Sequence, residues 1–251
     1  MKQFELQGKV AIITGASKGI GEAIARLFAH AGAKVVVSSR NLESVQQIAR
    51  SVIEDGGQAL AVAAHTGIAA QLGELVEKTV AHFGSIDILV NNAATNPVFG
   101  PALHTGEDAF DKIMAVNVKG PFLLCQKAYP ELAKRGGSII NISSIGGLSP
   151  EEYLGIYSVS KAALISLTKV LAKEWGNAGI RVNAICPGLI KTKFSKALWD
   201  NEKMLERFTR NLPLARIGTP EEIAALALFL ASEAAGYCTG AVFTADGGYT
   251  I

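Results

Sequence analysis

Tyr157 and Lys161 stand four residues apart in Tyr157-Ser158-Val159-Ser160-Lys161. In a helix that spacing puts two side chains on one face, so the pattern sets an ammonium beside a phenol. A free phenol titrates near pH 10, too high for a base working near neutrality. A neighbouring cation favours the phenolate and brings it toward a useful range. Ser144 lies thirteen residues before Tyr157, at the end of a strand-like run. Its hydroxyl can hold an oxygen of a bound molecule and share the charge that develops there. Ser143 competes for that role, because adjacent side chains at a strand end point to opposite faces. Such a set can move a proton to or from an oxygen while a hydride reaches or leaves the adjoining carbon. Alone, Tyr-x-x-x-Lys is far more often a plain helical pair than a reacting one, so its company matters.

That company includes a glycine-rich turn, Thr14-Gly15-Ala16-Ser17-Lys18-Gly19-Ile20-Gly21, between the strand-like Val10–Ile13 and a helical pattern. Glycines let the backbone turn tightly and approach a pyrophosphate, and a helix N-terminus adds free N–H groups and the positive end of its dipole. The spacing is Gly-x3-Gly-x-Gly, not the general G-x-G-x-x-G. Its place at the first strand–helix junction favours a phosphate site over a merely structural turn, with Gly15, Ser17, Lys18, Gly19, Ile20 and Gly21 in contact. The second strand-like run ends Ser38-Ser39-Arg40. A site for NAD usually carries an acid there to accept the ribose hydroxyls, and that acid repels a 2′-phosphate. Ser39, Arg40 and Lys18 offer a hydroxyl and two cations instead, which suits a dianionic phosphate and predicts NADP(H). The plainer alternative is that both cations are solvated surface charges.

These residues must be positioned by regular elements. Strand-like runs fall at 9–14, 34–39, 59–64, 86–91, 138–143, 181–185 and 242–245; helical patterns fall at about 19–31, 42–55, 69–83, 107–134, 156–176 and 220–231. The strands are mostly apolar throughout and alternate with helices, as expected of a parallel sheet covered on both faces. Thr219-Pro220-Glu221-Glu222 reads as a capping box, and Gly32, Gly176 and Gly179 fall where helices should stop. Without repeats or a linker, residues 1–251 read as one domain. Near 192–212 the rhythm breaks. Phe194, Leu198, Leu205, Phe208 and Leu212 recur there at helical spacing, which fits either packing on the body or a lid over a site.

The chain resembles the short-chain dehydrogenases/reductases. Thr14–Gly21 is similar to their TGxxxGxG turn. Asn91-Asn92-Ala93-Ala94 resembles NNAG with Ala94 in place of the last glycine; Asn117 matches the helix-four asparagine; Ser144, Tyr157 and Lys161 match the Ser and YxxxK set; and Pro187-Gly188 resembles the PG after the sixth strand. The resemblance implies an α/β fold: a single-domain, Rossmann-like, doubly wound seven-stranded parallel sheet with helices on both faces. It implies that Tyr157 is the acid/base, that Lys161 also binds the nicotinamide ribose, and that Asn117 fixes a water linking Lys161 to solvent. It adds Asn91, Ala93, Tyr157, Lys161, Pro187, Gly188 and Thr192 to the cofactor contacts, with Ile190 near the nicotinamide end. His65-Thr66 replaces an Asp-Val beside the adenine, so His65 either meets the base or is an exposed loop residue. Ser38–Arg40, Asn92–Pro97 and Pro187–Ser195 look most like the NADPH-dependent carbonyl reductase branch known as dehydrogenase/reductase member 4. The family also implies a homotetramer, packed through the helices at about 107–134 and 156–176 and the last strand.

Pocket residues are expected from Thr95–Phe99, Ile145–Tyr153 and Phe194–Trp199: Phe99, Leu148, Tyr153, Leu154, Phe194, Leu198 and Trp199, beside Ser144 and Tyr157. The first two stretches hold no Arg or Lys to clamp an anion, so a neutral, fairly hydrophobic carbonyl or alcohol substrate is expected. One alternative is a 3-oxoacyl-[acyl-carrier-protein] reductase, for which Arg135 could dock an acidic carrier although Asn177-Ala178 offers no cation. Another is an NADP-sensing protein without turnover; such proteins typically lose the Tyr or Lys. With 24 basic and 22 acidic residues, net +2, nothing suggests nucleic acid or an anionic membrane as a partner. The longest apolar stretch is about half of a membrane span. Four histidines form no metal pattern, so no metal is expected. Three separated cysteines without CxxC spacing, no room for a leader before Val10 and no peroxisomal ending make a cytoplasmic location the expectation.

Overall fold

A computed structural model describes residues 2–195, 199–200, 202–210 and 212–251. The apolar runs form β1 (Val10–Thr14), β2 (Lys34–Ser39), β3 (Gln58–Ala63), β4 (Ile88–Asn91), β5 (Gly137–Ile142), β6 (Ile180–Pro187) and β7 (Val242–Ala245). All pair in parallel, in the order β3-β2-β1-β4-β5-β6-β7. Alternate residues of each strand enter different cores. Ile13, Val35, Val37, Val90 and Ile140 meet α1 (Gly19–His30), α2 (Leu42–Glu54) and α8 (Pro220–Ala231). Ile12, Val36, Leu89, Ile139 and Val182 meet α3 (Ala69–Phe83), α5 (Gly120–Leu132) and α6 (Gly155–Trp175). Two apolar faces explain why the strands lack a polar alternation.

The helix expected over 107–134 is divided. α4 (Glu107–Met114) passes into a π turn, Ala115–Lys119, before α5. Gly120 N donates to Ala115 O, five residues back. Pro121 has no N–H to give the carbonyl of Asn117, so the regular ladder cannot run through this point. The wider turn turns Asn117 inward, where it is fully buried.

The order of strands reverses between β1 and β4, which opens a crevice at their C-terminal ends. β6 runs on to Pro187, paired with Ala245 of β7, and carries the chain to the same end. The segment after β6 includes α7 (Glu202–Thr209), whose Phe208 stacks on Tyr249 with ring centroids 4.8 Å apart. Leu212 beyond it is buried. Phe208 and Leu212 thus pack on the body, and Phe208 also lines a cavity beside it; Leu198 lies outside the described residues.

Candidate active site

A cavity of about 850 Å³ runs along the C-terminal ends of the strands. At its floor, Gly15 and Gly19 adopt left-handed φ angles of 65° and 59°. A Cβ on Gly15 would lie 2.8 Å from the Ala93 Cα, and one on Gly21 would lie 2.5 Å from the Gly15 oxygen. Only glycine lets these backbones meet. Lys18 precedes α1 in extended conformation with no side-chain cap. The first N–H groups of α1 are thus left for an anion, and Ser17, Lys18, Gly19 and Ile20 line the cavity there.

Two residues that sequence reasoning did not place in the site hold this floor. Thr14 Oγ1 donates to Val90 O (3.2 Å) and accepts from Asn92 N (3.0 Å) and Ala93 N (3.1 Å). Asn92 Nδ2 donates to the Thr14 and Gly15 carbonyls at 2.9 and 3.1 Å. A polar side chain closing an otherwise apolar strand was the available signal. At the other end, Ser39 and Arg40 line the cavity with Lys18, and neither cation makes an ion pair among the described residues. His65 and Thr66 line it too. His65 Nδ1 accepts from Gly67 N at 3.0 Å, so a neutral ring carries its hydrogen on Nε2. A nicotinamide dinucleotide fits these features: glycines at close approach, uncapped helix donors and unpaired cations.

The other half of the cavity begins where β5 gives way to α6. Ser143 is buried and donates to the Lys161 carbonyl at 2.9 Å, whereas Ser144 faces the cavity and accepts from Gly146 N at 3.1 Å. Lys161 Nζ donates to Ile142 O at 2.7 Å and sits 5.6 Å from the centre of the Tyr157 ring. Desolvation pushes the Tyr157 phenol above its usual range; a hydrogen bond with Ser144 opposes that rise, and the Glu151 charge adds to it. Burial lowers the Lys161 ammonium to about 8. Burial thus penalises both charges and opposes the acidification expected from the helical neighbour. Near neutrality Tyr157 is a protonated donor.

Asn117 stands behind this half, not in it. Its Oδ1 accepts from Thr95 N (2.8 Å), and its Nδ2 donates to Thr95 O and to Ser160 Oγ, each at 3.0 Å. Ser160 Oγ donates onward to the Tyr157 carbonyl at 2.6 Å. The asparagine ties the loop after β4 to the first turn of α6. Thr95 and Ser160 were not anticipated, since nothing local links them.

The cavity also takes Ala93, Pro187, Gly188, Ile190, Thr192 and Phe194 from the expected set, as well as Phe99 and Leu154. Others fall outside its walls. Asn91 is buried beneath it, donating to Asn141 Oδ1 (2.8 Å) and Cys125 Sγ (3.3 Å), because strand parity turns Asn92 and not Asn91 toward the floor. Gly21 packs under the turn. Leu148 and Tyr153 are exposed; Tyr153 has a left-handed φ of 66° and leans on Phe99. Trp199 Nε1 donates to Thr192 O at 2.9 Å, closing its own segment, with Lys191 over the ring. Arg135 pairs with Asp87 at 2.9 Å ahead of β5, at the opposite, N-terminal end of the strands. Glu151, inside the expected Ile145–Tyr153 stretch but not singled out there, lines the cavity with Tyr157.

A family model described as enoyl-(acyl carrier protein) reductase matches residues 15–250. The chain is 44% identical over 244 residues to dehydrogenase/reductase SDR family member 4 of Oryctolagus cuniculus, covering 97% of this chain and 94% of that protein. A short-chain dehydrogenase/reductase from Mycobacterium marinum superposes with a TM-score of 0.93 at 37% identity, covering 99% of this chain and 98% of the other. A gluconate 5-dehydrogenase from Burkholderia cenocepacia, crystallised with NADP and tartrate, gives a TM-score of 0.95 at 33% identity, covering 99% and 98%. The chain belongs to the short-chain dehydrogenase/reductase family and is an NAD(P)-dependent alcohol/carbonyl oxidoreductase. Within that family it falls in the dehydrogenase/reductase member 4 branch.

Proposed function

We propose that the chain is an NADP(H)-dependent carbonyl reductase in which Tyr157 is the general acid/base. The observation that carries this reading is the joining of two ends of one cavity: Ser144, Tyr157 and Lys161 at one, Ser39, Arg40 and Lys18 at the other. Gly15, Ser17, Gly19 and Ile20 would hold the pyrophosphate, and Ser39, Arg40 and Lys18 the 2′-phosphate. His65 and Thr66 would meet the adenine. Ala93, Pro187, Gly188, Ile190 and Thr192 would border the nicotinamide, and Lys161 its ribose. The bound dinucleotide supplies the hydride. Tyr157 gives its proton to the carbonyl oxygen, and Ser144 hydrogen-bonds that oxygen as charge gathers on it. Lys161, held by Ile142 O, is a positioned cation behind the phenol. Asn117 fixes the turn that carries Tyr157, and its carbonyl, denied a donor by Pro121, is the point we assign to the water that resupplies the proton.

The carrier-protein reading loses its anchor, since Arg135 is engaged by Asp87 away from the cavity mouth. The sensor reading expects a missing Tyr or Lys, and both are in place. We extend the proposal to a cytoplasmic homotetramer. Three unpaired cysteines suit a reducing compartment. Phe110, Phe122, Val159 and Val170 expose apolar surface on α4, α5 and α6; a monomer by light scattering would refute the assembly.

The test is NADPH consumption against ketones, aldehydes and acetoacetyl thioesters. Turnover of simple carbonyls is expected. Activity confined to the thioesters would favour the carrier reading, and NADPH binding without turnover the sensor. Ser39→Asp with Arg40→Ile should swing selectivity toward NADH by about ten- to a hundredfold, the worth of a hydrogen bond to a charged group. Unaltered selectivity would refute the phosphate assignment.

A further inference from the structure

Glu151 is the one carboxylate lining the cavity among the described residues. It lies between Ser144 and α6, and its backbone carbonyl accepts from Leu154 N at 3.2 Å. Its Oε1 is buried without a hydrogen-bond partner. The same cavity carries the apolar side chains of Phe99, Ile145, Leu154, Phe194 and Phe208. Burial raises its pKa, and its charge is felt by two phenols, Tyr157 inside the cavity and Tyr249 beside Phe208. A buried acceptor left unpaired is destabilising, and folded chains rarely retain one without cause. The cavity therefore asks for a donor at this point.

We propose that Glu151 is a specificity-determining residue whose carboxylate accepts a hydrogen bond from a hydroxyl of the substrate, so that the site selects hydroxylated carbonyls and diols. The choice of a neutral hydroxyl follows from the charges of the cavity as a whole. A substrate carboxylate placed here would meet Glu151, and the lining is net cationic, with Lys18, Arg40, Lys112, Lys161 and Lys193 against Glu151 alone, which disfavours an ammonium. Glu151 and Tyr157 line one cavity, so a substrate whose carbonyl meets Tyr157 can present a hydroxyl to Glu151, and an α-hydroxy ketone is the simplest such molecule. A site built to hydrogen-bond a hydroxyl discriminates strongly against the analogue that lacks it. This inference rests on the carbonyl-reductase reading. It keeps the expectation of a neutral substrate and adds a polar handle to it.

The test pairs molecules that differ by one hydroxyl: hydroxyacetone with acetone, and 3-hydroxybutan-2-one with butan-2-one. In the wild type kcat/KM should favour the hydroxylated member by about tenfold or more, and Glu151→Leu should bring the ratio close to one. A ratio that survives the substitution overturns the proposal. Calorimetric titration of hydroxyacetone into NADP-loaded protein supplies a readout independent of turnover. Affinity should fall by about tenfold in Glu151→Leu, and equal affinities overturn the proposal even if every ketone fails as a substrate, a failure that would sink the proposed function separately. The melting temperature of Glu151→Leu should be equal or higher, because an unpaired buried acceptor is gone. A lower one would mark Glu151 as a structural residue and likewise count against it.

Discussion

The two halves of the cavity are built differently. The dinucleotide half comes from strand ends and a helix start, and its polar groups answer one another: Thr14 and Asn92 tie β1 to β4 through five hydrogen bonds, and the glycines leave no room for a Cβ. The substrate half comes from connecting segments. Phe99 and Phe194 are more than half exposed, Tyr153 holds a left-handed backbone, and Glu151 buries an acceptor without a donor. A ligand common to a whole family can be met by backbone geometry alone. A ligand particular to one member has to be met by side chains on loops, and loops accept unsatisfied groups that a core would not.

The largest effect expected across this division is chemical. Tyr157→Phe removes the proton donor and leaves the floor under the pyrophosphate untouched. We expect kcat to fall by between about a hundred- and ten-thousandfold, with NADPH affinity by fluorescence titration nearly unchanged. Substantial turnover in this variant would remove the phenol from the reaction and, with it, the meaning of the substrate half. A smaller effect contrasts the frameworks. Gly21→Ala drives a methyl against the Gly15 oxygen and the Asn92 amide, whereas Gly100, on the substrate-side loop, has nothing within 4 Å of the corresponding position. The first should cost about 1–3 kcal/mol in denaturant unfolding and weaken NADPH binding. Gly100→Ala should stay within about 0.5 kcal/mol of wild type. Equal costs would mean that the two halves are equally tolerant, and the contrast would fail.

That contrast also governs how much was legible in the sequence. The sheet and its helices follow from apolar runs such as Ile88–Val90 and Val35–Val37, where burial on both faces leaves little choice. The phosphate turn, Ser144, Tyr157 and Lys161 were legible because their spacing is local or shared by a family. Asn91 was misplaced relative to Asn92 because the run remains buried through Asn91, and parity alone tells which amide turns upward. The π turn was hidden because the apolar spacing reads as one helix across it, although Pro121, four residues after Asn117, carried the signal. Glu151 lay within the Ile145–Tyr153 stretch expected at the pocket but could not be singled out: it is followed by an exposed glutamate, Glu152, and only the folded loop turns one inward and the other to solvent. The burial of the phenol was hidden for a related reason: helical spacing shows the cation beside Tyr157 but not the loss of water that raises the phenol's pKa.

The finest test asks whether the two halves communicate electrically. The Glu151 anion raises the Tyr157 pKa, so its charge disfavours the phenolate. Glu151→Gln keeps the shape and removes the charge, and the phenol should then ionise at lower pH. Alcohol oxidation needs the phenolate as base, so the acid limb of its kcat/KM profile should move to lower pH in Glu151→Gln. Carbonyl reduction needs the protonated phenol, so its alkaline decline should move in the same direction. The other titratable groups at this point, Tyr249, Cys186 and the Lys161 ammonium with its pKa of about 8, are unchanged in the variant and do not account for such a shift. Ser39→Asp, at the far end of the cavity, should leave both limbs where they are, because a charge at that distance is screened by solvent. Limbs that stay fixed in Glu151→Gln would show that the carboxylate does not act on the reacting phenol, and would reduce the substrate half to a shape without a field.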